Sequence, residues 1–212
     1  TVKASGHWDG LDHNLGYAMG QGLKVIRTVC LRAPATTLYG PQDVVMDSEG
    51  AVDHNWDKTT RMSFSSPRFG RGIRFLQQIG ERYKDRQNAG HLLAIAPLVT
   101  REAEIPFAHE RLEDYSPVSI QEFRGWLEGR YEHQIARLNA AWGTQHRTFG
   151  EVRPPRTFSS PAGRDWYSFR DLKARQFVDS CAAALSAIPG LSVPYRLLLD
   201  YGNVGDPMAW KR

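Results

Sequence analysis

The sequence predicts an α/β fold with parallel strands, more closely a portion of a (β/α)₈ barrel of the TIM type. Segments typical of helices and strands follow one another in the order α-β-α-β-α-α-β, and polar or charged residues follow each predicted strand. Such alternation is typical of a parallel sheet covered by helices. Three predicted strands cannot close a barrel, which usually needs about 250 residues. We therefore expect residues 1–212 to be one partial barrel domain, about strands two to five, without the first and last strands.

The first helix and strand occupy residues 9–31. The apolar spacing predicts a helix that Asp9 caps and that Gly22 ends in a left-handed conformation. A strand rich in β-branched residues is predicted from Leu23 to Leu31. Arg27 lies inside this strand, where a buried guanidinium must be paired or must face a polar cavity. Two interpretations are open: a substrate contact at the barrel mouth, or a structural ion pair.

A long connection follows, from Ala33 to Met62, with several turn signals and no long helical period. Val44–Met46 and Ala51-Val52 flank an Asp-Ser-Glu-Gly turn and are predicted to form a small hairpin. Loops of this length inside a compact domain are usually functional.

The second helix and strand lead to the most informative part of the chain. Ser66 and Pro67 are predicted to start a helix that continues to about Asp85. A continuous apolar run follows, from Leu92 to Val99. Such a run is typical of a strand that is buried on both faces.

Polar residues begin abruptly where this strand ends, with Thr100, Arg101, Glu102 and Glu104. In α/β folds, ligands bind and catalytic side chains lie at the carboxyl ends of strands. The two carboxylates are therefore a candidate acid/base site. The alternative is that both are solvated loop residues, one of them paired with Arg101.

The remainder of the chain is predicted to be mainly helical. Ser119 and Glu122 fit a capping box at the start of one helix, and a second helical piece ends at Gly143. Asp165 is predicted to cap a long helix that ends at Pro189-Gly190.

A third strand is predicted from Val193 to Leu199, and it is followed by Asp200, Tyr201 and Asn203. A strand that follows a long helix would continue the parallel sheet. By the same argument as for the second strand, these three polar side chains are candidate substrate contacts.

Composition argues against nucleic acid, membranes and metals as partners of this chain. The net charge is +4, but the basic residues are dispersed and no nucleic-acid-binding module is recognisable. No segment has the length of a membrane span, and no signal-peptide pattern follows Thr1. Cytoplasmic and secreted locations stay open. Cys30 and Cys181 do not have the spacing of a metal site, so we expect free thiols. The sequence implies no metal and no organic cofactor.

Several stretches together resemble the catalytic barrel of glycoside hydrolases of the β-galactosidase type, especially family 42. Residues 11–26 are similar to the first helix and second strand of those enzymes, and residues 73–84 to the helix before the strand at 92–99. Asp-Tyr-Ser-Pro at 114–117 is followed by Phe-Arg-Gly-Trp-Leu at 123–127 and Leu-Asn-Ala-Ala-Trp-Gly-Thr at 138–144. This last set is the most specific, because family members carry a similar pattern soon after the catalytic acid.

By the resemblance, the strands at 23–31, 92–99 and 193–199 are the second, fourth and fifth of the barrel, and a short third strand is expected within residues 44–64. The resemblance implies a site at the end of the fourth strand. In the family this strand ends in Asn-Glu, and the glutamate is the general acid/base. Here Arg101-Glu102 and Ala103-Glu104 occupy that place without an Asn. Residues 103–107 also resemble the surroundings of the β-amylase acid, which favours Glu104 over Glu102. The nucleophilic glutamate of the family lies on the seventh strand, which we expect outside these residues.

Three functions are consistent with these observations. The first is a retaining glycoside hydrolase that cleaves β-linked sugars, with a carbohydrate as its substrate. The second is a non-catalytic carbohydrate-binding barrel, which the missing Asn favours. The third is a structural half-barrel whose open sheet edges are covered by a second copy or another chain.

Overall fold

A computed structural model describes residues 8–31, 40–52, 54, 60–98 and 113–191. It contains five helices and two strands within these ranges: α1 Asp9–Gly20, β1 Val25–Cys30, α2 Phe69–Asn88, β2 Leu92–Leu98, α3 Pro117–Arg130, α4 Ile135–Trp142 and α5 Pro161–Ser186. Short 3₁₀ turns occur at Pro41–Asp43 and Phe149–Glu151. In these parts of the chain, no helix combines the length and the apolar character needed to cross a membrane. The strand predicted at 193–199 lies outside the described residues.

β1 and β2 are directly hydrogen-bonded neighbours in a parallel sheet, as predicted. The register pairs Val25 with Leu92 and Cys30 with Leu98, with an irregularity after Val25. A barrel strand within 44–64 cannot lie between two strands that bond directly, so that prediction is wrong. If β2 is the fourth strand, as the resemblance implies, β1 is the third.

The segment between β1 and α2 forms a local antiparallel structure instead. Isolated bridges join Val44 to Met62 and Met46 to Val52, which confirms the predicted hairpin. Val44 and Met62 are buried and form a small apolar cluster with Phe69 at the start of α2. The described residues of this structure, 44–52 and 60–62, are called the hairpin wall below.

One face of the sheet packs against helices α1, α2 and α5. Val29 of β1 and Ile95 of β2 lie in this core, which also contains side chains from the three helices: Leu15, Leu76, Ile79, Tyr83, Phe177, Cys181 and Leu185. Burial raises the pKa of the Cys181 thiol to about 12, and this cysteine is free, as predicted. Ile26 and Leu93 are each 44% exposed. Since side chains alternate along a strand, Ile26 points to the face opposite Val25 and Arg27.

A second core joins α3, α4 and α5 through Phe123, Leu138 and Trp166. Asp165 was predicted to cap α5, and this is wrong. The helix begins four residues earlier, where Ser160 Oγ accepts a hydrogen bond from Gly163 N at 3.0 Å. Pro161 then takes the first helical position, where no N–H is needed.

Asp165 is instead a buried acceptor within the second core. It accepts hydrogen bonds from Tyr131 Oη at 2.6 Å and Trp142 Nε1 at 2.9 Å. Arg130 Nε lies 3.0 Å from its other oxygen. One carboxylate therefore connects α3, α4 and α5.

Three other helix starts also differ from prediction. Trp8, not Asp9, is the N-cap residue of α1. Ser116, not Ser119, caps α3, and it accepts from Ser119 N at 3.3 Å while Pro117 takes the first turn. α2 begins at Phe69, because Ser66 and Pro67 form a turn in which Ser66 Oγ accepts from Arg68 N at 3.1 Å.

Alanine at two helical glycines is expected to have opposite effects. A Cβ at Gly163 would lie 2.3 Å from Thr157 O and 2.6 Å from Phe158 Cα, and both are backbone atoms. Gly163→Ala should lower the free energy of unfolding by about 1–3 kcal/mol. A Cβ at Gly125 meets nothing within 4 Å. Gly125→Ala should therefore raise the free energy of unfolding by about 0.5–1 kcal/mol. Denaturant unfolding measures both, and equal stability of the two variants would contradict this packing.

Candidate active site

The carboxyl ends of the two strands lie at one edge of the sheet, because β1 and β2 are parallel and Cys30 pairs with Leu98. Two connections leave from this edge: residues 31–68 lead from β1 to α2, and residues 99–116 lead from β2 to α3. In α/β barrels this edge carries the active site. The predicted Arg101, Glu102 and Glu104 belong to the second connection, in a part outside the described residues. Asp200, Tyr201 and Asn203 also lie outside them.

Arg27 lies on the helix-facing side of β1. It pairs in register with Ile95 and alternates with Val29, and both of these belong to the core beneath the helices. The charge of Arg27 also acts on Tyr83 of α2. Burial, the larger cause, and a hydrogen bond to Asp12 raise the pKa of Tyr83 to about 12, and the charge of Arg27 opposes this shift. Arg27 Nε is buried and has no hydrogen-bond acceptor among the described residues. The structure thus places Arg27 on the helix-facing side of β1, and both the substrate contact and the structural ion pair stay predictions.

A buried ion pair joins the two connections near the points where they lead into α2 and α3. Arg61 Nη2 of the first connection contacts Glu113 Oε2 of the second, and their side chains are 7% and 0% exposed. Arg170 of α5 is also buried close by. Desolvation lowers the pKa of Arg170 to about 10, and the charge of Glu113 opposes this shift more than any other neighbouring charge does.

Hydrogen bonds around Asp114 add a second set of links. Asp114 Oδ1 accepts from Ser116 N at 2.9 Å and from Met46 N of the hairpin wall at 3.3 Å. Tyr115 N donates to Met46 O at 2.9 Å, and Ser116 Oγ lies 3.3 Å from Ser63 Oγ. Burial raises the pKa of Asp114, and the hydrogen bonds from Ser63 and Ser116 act against it. We call Arg61, Ser63, Glu113, Asp114 and Ser116 the loop junction.

The hairpin wall is also held at its two ends. At its base, Asp43 is 1% exposed, accepts from Gly40 N at 3.1 Å and pairs with Arg68. At its turn, Glu49 pairs with Arg156 at 2.9 Å. The described part of the first connection is therefore fixed to the start of α2 and to the start of α3. The Glu49–Arg156 pair, whose side chains are 68% and 67% exposed, is a weak contact with the segment before α5.

The sequence pattern assigns no role to the residues of the loop junction. Asp114 and Ser116 belong to a family-like stretch, and no motif contains Arg61, Ser63 or Glu113. Adjacent acids just before a helix normally indicate a solvated cap. The residues around Glu113 and Asp114, just before α3, therefore give no indication in the sequence that both carboxylates are buried.

A comparison with protein families decides which family the chain is part of. The model of glycoside hydrolase family 42, described as beta-galactosidase, matches residues 4–194. The chain belongs to glycoside hydrolase family 42. The resemblance predicted from the sequence is thereby confirmed.

Two curated relatives agree with this assignment. The β-galactosidase of Thermus thermophilus and the β-galactosidase BgaA of a Thermus species are each 31% identical to the chain over 182 residues. The match covers 80% of this family 42 chain and 27% of each relative. The chain thus spans about a quarter of the length of these relatives.

Solved structures confirm the predicted fold class, a portion of a TIM-type barrel. The catalytic domain of a β-amylase from Paenibacillus polymyxa superposes with a TM-score of 0.74 at 12% identity, covering 92% of this chain and 55% of that one. The family 42 β-galactosidase Gan42B from G. stearothermophilus gives 0.69 at 16% identity, covering 92% and 28%. A β-galactosidase from Bacillus circulans gives 0.68 at 17% identity, covering 94% and 31%.

Proposed function

We propose that the protein containing this family 42 chain hydrolyses β-linked galactosides with retention of anomeric configuration. Glu104 serves as the general acid/base, and Glu102 is the alternative. The family match over residues 4–194 is the observation that carries this proposal. The substrate class follows from the curated relatives, which are β-galactosidases.

The proposed mechanism needs two carboxyl groups on opposite sides of the glycosidic bond, about 5–5.5 Å apart. Glu104 would protonate the leaving oxygen and then, as a carboxylate, activate the water that releases the sugar. A carboxyl group must have a raised pKa to be protonated at neutral pH, and a water-poor site produces this shift. The nucleophile would be a glutamate outside these 212 residues.

The position of the second connection supports this assignment. It begins at the carboxyl end of β2 and ends at the loop junction, beside the hairpin wall. Arg101 and the polar group Asp200, Tyr201 and Asn203 are proposed as substrate contacts, because their donors and acceptors match sugar hydroxyls and they follow predicted strands.

A non-catalytic carbohydrate-binding barrel is the second candidate. It is favoured by one observation, the absence of Asn before Glu102 or Glu104. Such a protein would bind a galactoside without turnover.

The test is hydrolysis of an aryl β-galactoside by the full-length protein, with the matched aryl α-galactoside as control. We expect turnover of the β-anomer alone, and proton NMR should show β-galactose as the first product. Initial release of α-galactose would contradict retention. Absence of turnover with saturable galactoside binding would replace the proposal with the binding function.

A further inference from the structure

We propose that the loop junction holds the two walls of the active-site edge at a fixed separation, which makes Arg61, Glu113 and Asp114 positioning residues for the hydrolysis. One wall is the hairpin wall, and the other is the chain at 113–116 that enters α3. This inference rests on the proposed function.

The contacts of the junction connect parts of the chain that are distant in sequence. Arg61 and Glu113 are separated by 52 positions, and Asp114 and Met46 by 68. Their contacts join the connection that follows β1 to the connection that follows β2. A shift of one connection relative to the other would break a buried ion pair and the hydrogen bonds at Asp114 together.

The chemistry of the junction favours positioning over simple stabilisation. Buried ion pairs usually contribute less to stability than apolar side chains of the same volume would. Charged hydrogen bonds are, however, short and directional, so they define relative position more narrowly than apolar contacts do.

Arg170 of α5 is an electrostatic neighbour of the junction. Its guanidinium lies 5.4 Å from the ring centre of Phe158, and the residue is 7% exposed. The charges of Glu113 and Asp114 favour the charged form of Arg170 against the effect of burial on its pKa.

The test compares junction variants with a destabilising control in the full-length protein. Glu113→Gln removes the charge of the ion pair, and Arg61→Lys keeps the charge but loses the planar fork of the guanidinium. Asp165→Asn is the control, because its partners Tyr131, Trp142 and Arg130 lie in the second core. Melting temperature, kcat and KM are measured for each protein at a temperature at which all are folded.

Both junction variants are expected to lower kcat/KM for the aryl β-galactoside, by on the order of 100-fold for Glu113→Gln and less for Arg61→Lys, since a displacement of about 1 Å can have this effect. The pH profile of kcat/KM should shift in both. Asp165→Asn should lower the melting temperature and leave kcat, KM and the pH profile unchanged. If Glu113→Gln does not fold, Ser63→Ala, which removes one hydrogen bond, takes its place with a smaller expected loss.

Three outcomes overturn the inference. If the junction variants match Asp165→Asn in kcat/KM and pH profile, the junction is structural and the proposed hydrolase function still stands. If all variants lose activity in proportion to melting temperature, stability alone explains the effect. If the unmodified protein does not hydrolyse the galactoside, the proposed function and the positioning role are both wrong.

Discussion

Glu104→Gln in the full-length protein is expected to lower kcat for a β-galactoside by about 10²- to 10⁴-fold, the usual contribution of a general acid/base. Glutamine has nearly the same shape as glutamate, but it can neither protonate the leaving oxygen nor accept a proton from water. The loss should be larger for lactose than for a dinitrophenyl galactoside, because a good leaving group needs no protonation. Steady-state kinetics with both substrates measure this difference.

Glu102→Gln is the matched control, since it makes the same change two positions away on the same connection. We expect this variant to retain most of the activity, and any loss of kcat should be the same for lactose and for the dinitrophenyl galactoside. If Glu102→Gln shows the larger loss and Glu104→Gln does not, the acid/base role belongs to Glu102. If neither variant is impaired, the assignment of the acid/base to this connection is wrong.

Arg61→Met is expected to lower the free energy of unfolding by about 3 kcal/mol, near the low end of the range for breaking a buried ion pair. The variant leaves the carboxylate of Glu113, which is 0% exposed, without the guanidinium that contacts it. Arg170 remains close to Glu113, and its charge should limit the loss. Native-state hydrogen exchange measures the effect locally at the amides of Val45, Ser63 and Tyr115, which bond across or beside the junction.

The control for this prediction is the double variant Arg61→Met/Glu113→Met. Replacing both partners of a buried pair by apolar side chains is often nearly neutral, so the double variant should recover part of the lost protection. A double variant as unstable as the sum of the single variants would show that the two side chains do not interact energetically.

Much of the fold follows from local patterns in the sequence. The apolar periodicity of residues 9–20 and 69–88 and the apolar run at 92–98 predict elements that the structure confirms within a few residues. Helix starts were less well predicted. Both Ser116-Pro117 and Ser160-Pro161 begin helices, whereas the sequence pattern predicts Ser119 and Asp165 as the caps. Several residues in each stretch can cap, and tertiary packing selects among them.

The sequence alone also led to the family and to the edge of the sheet where the site is expected, because motif spacing and strand ends are local features. Tertiary structure alone decided that β1 and β2 are neighbours, that Arg27 faces the helices, and that Glu113 and Asp114 are buried in one junction. These features depend on contacts between residues that lie tens of positions apart. Whether a carboxylate is solvated or buried is set by the partner that folding brings to it, and the neighbouring residues in the sequence do not encode that partner.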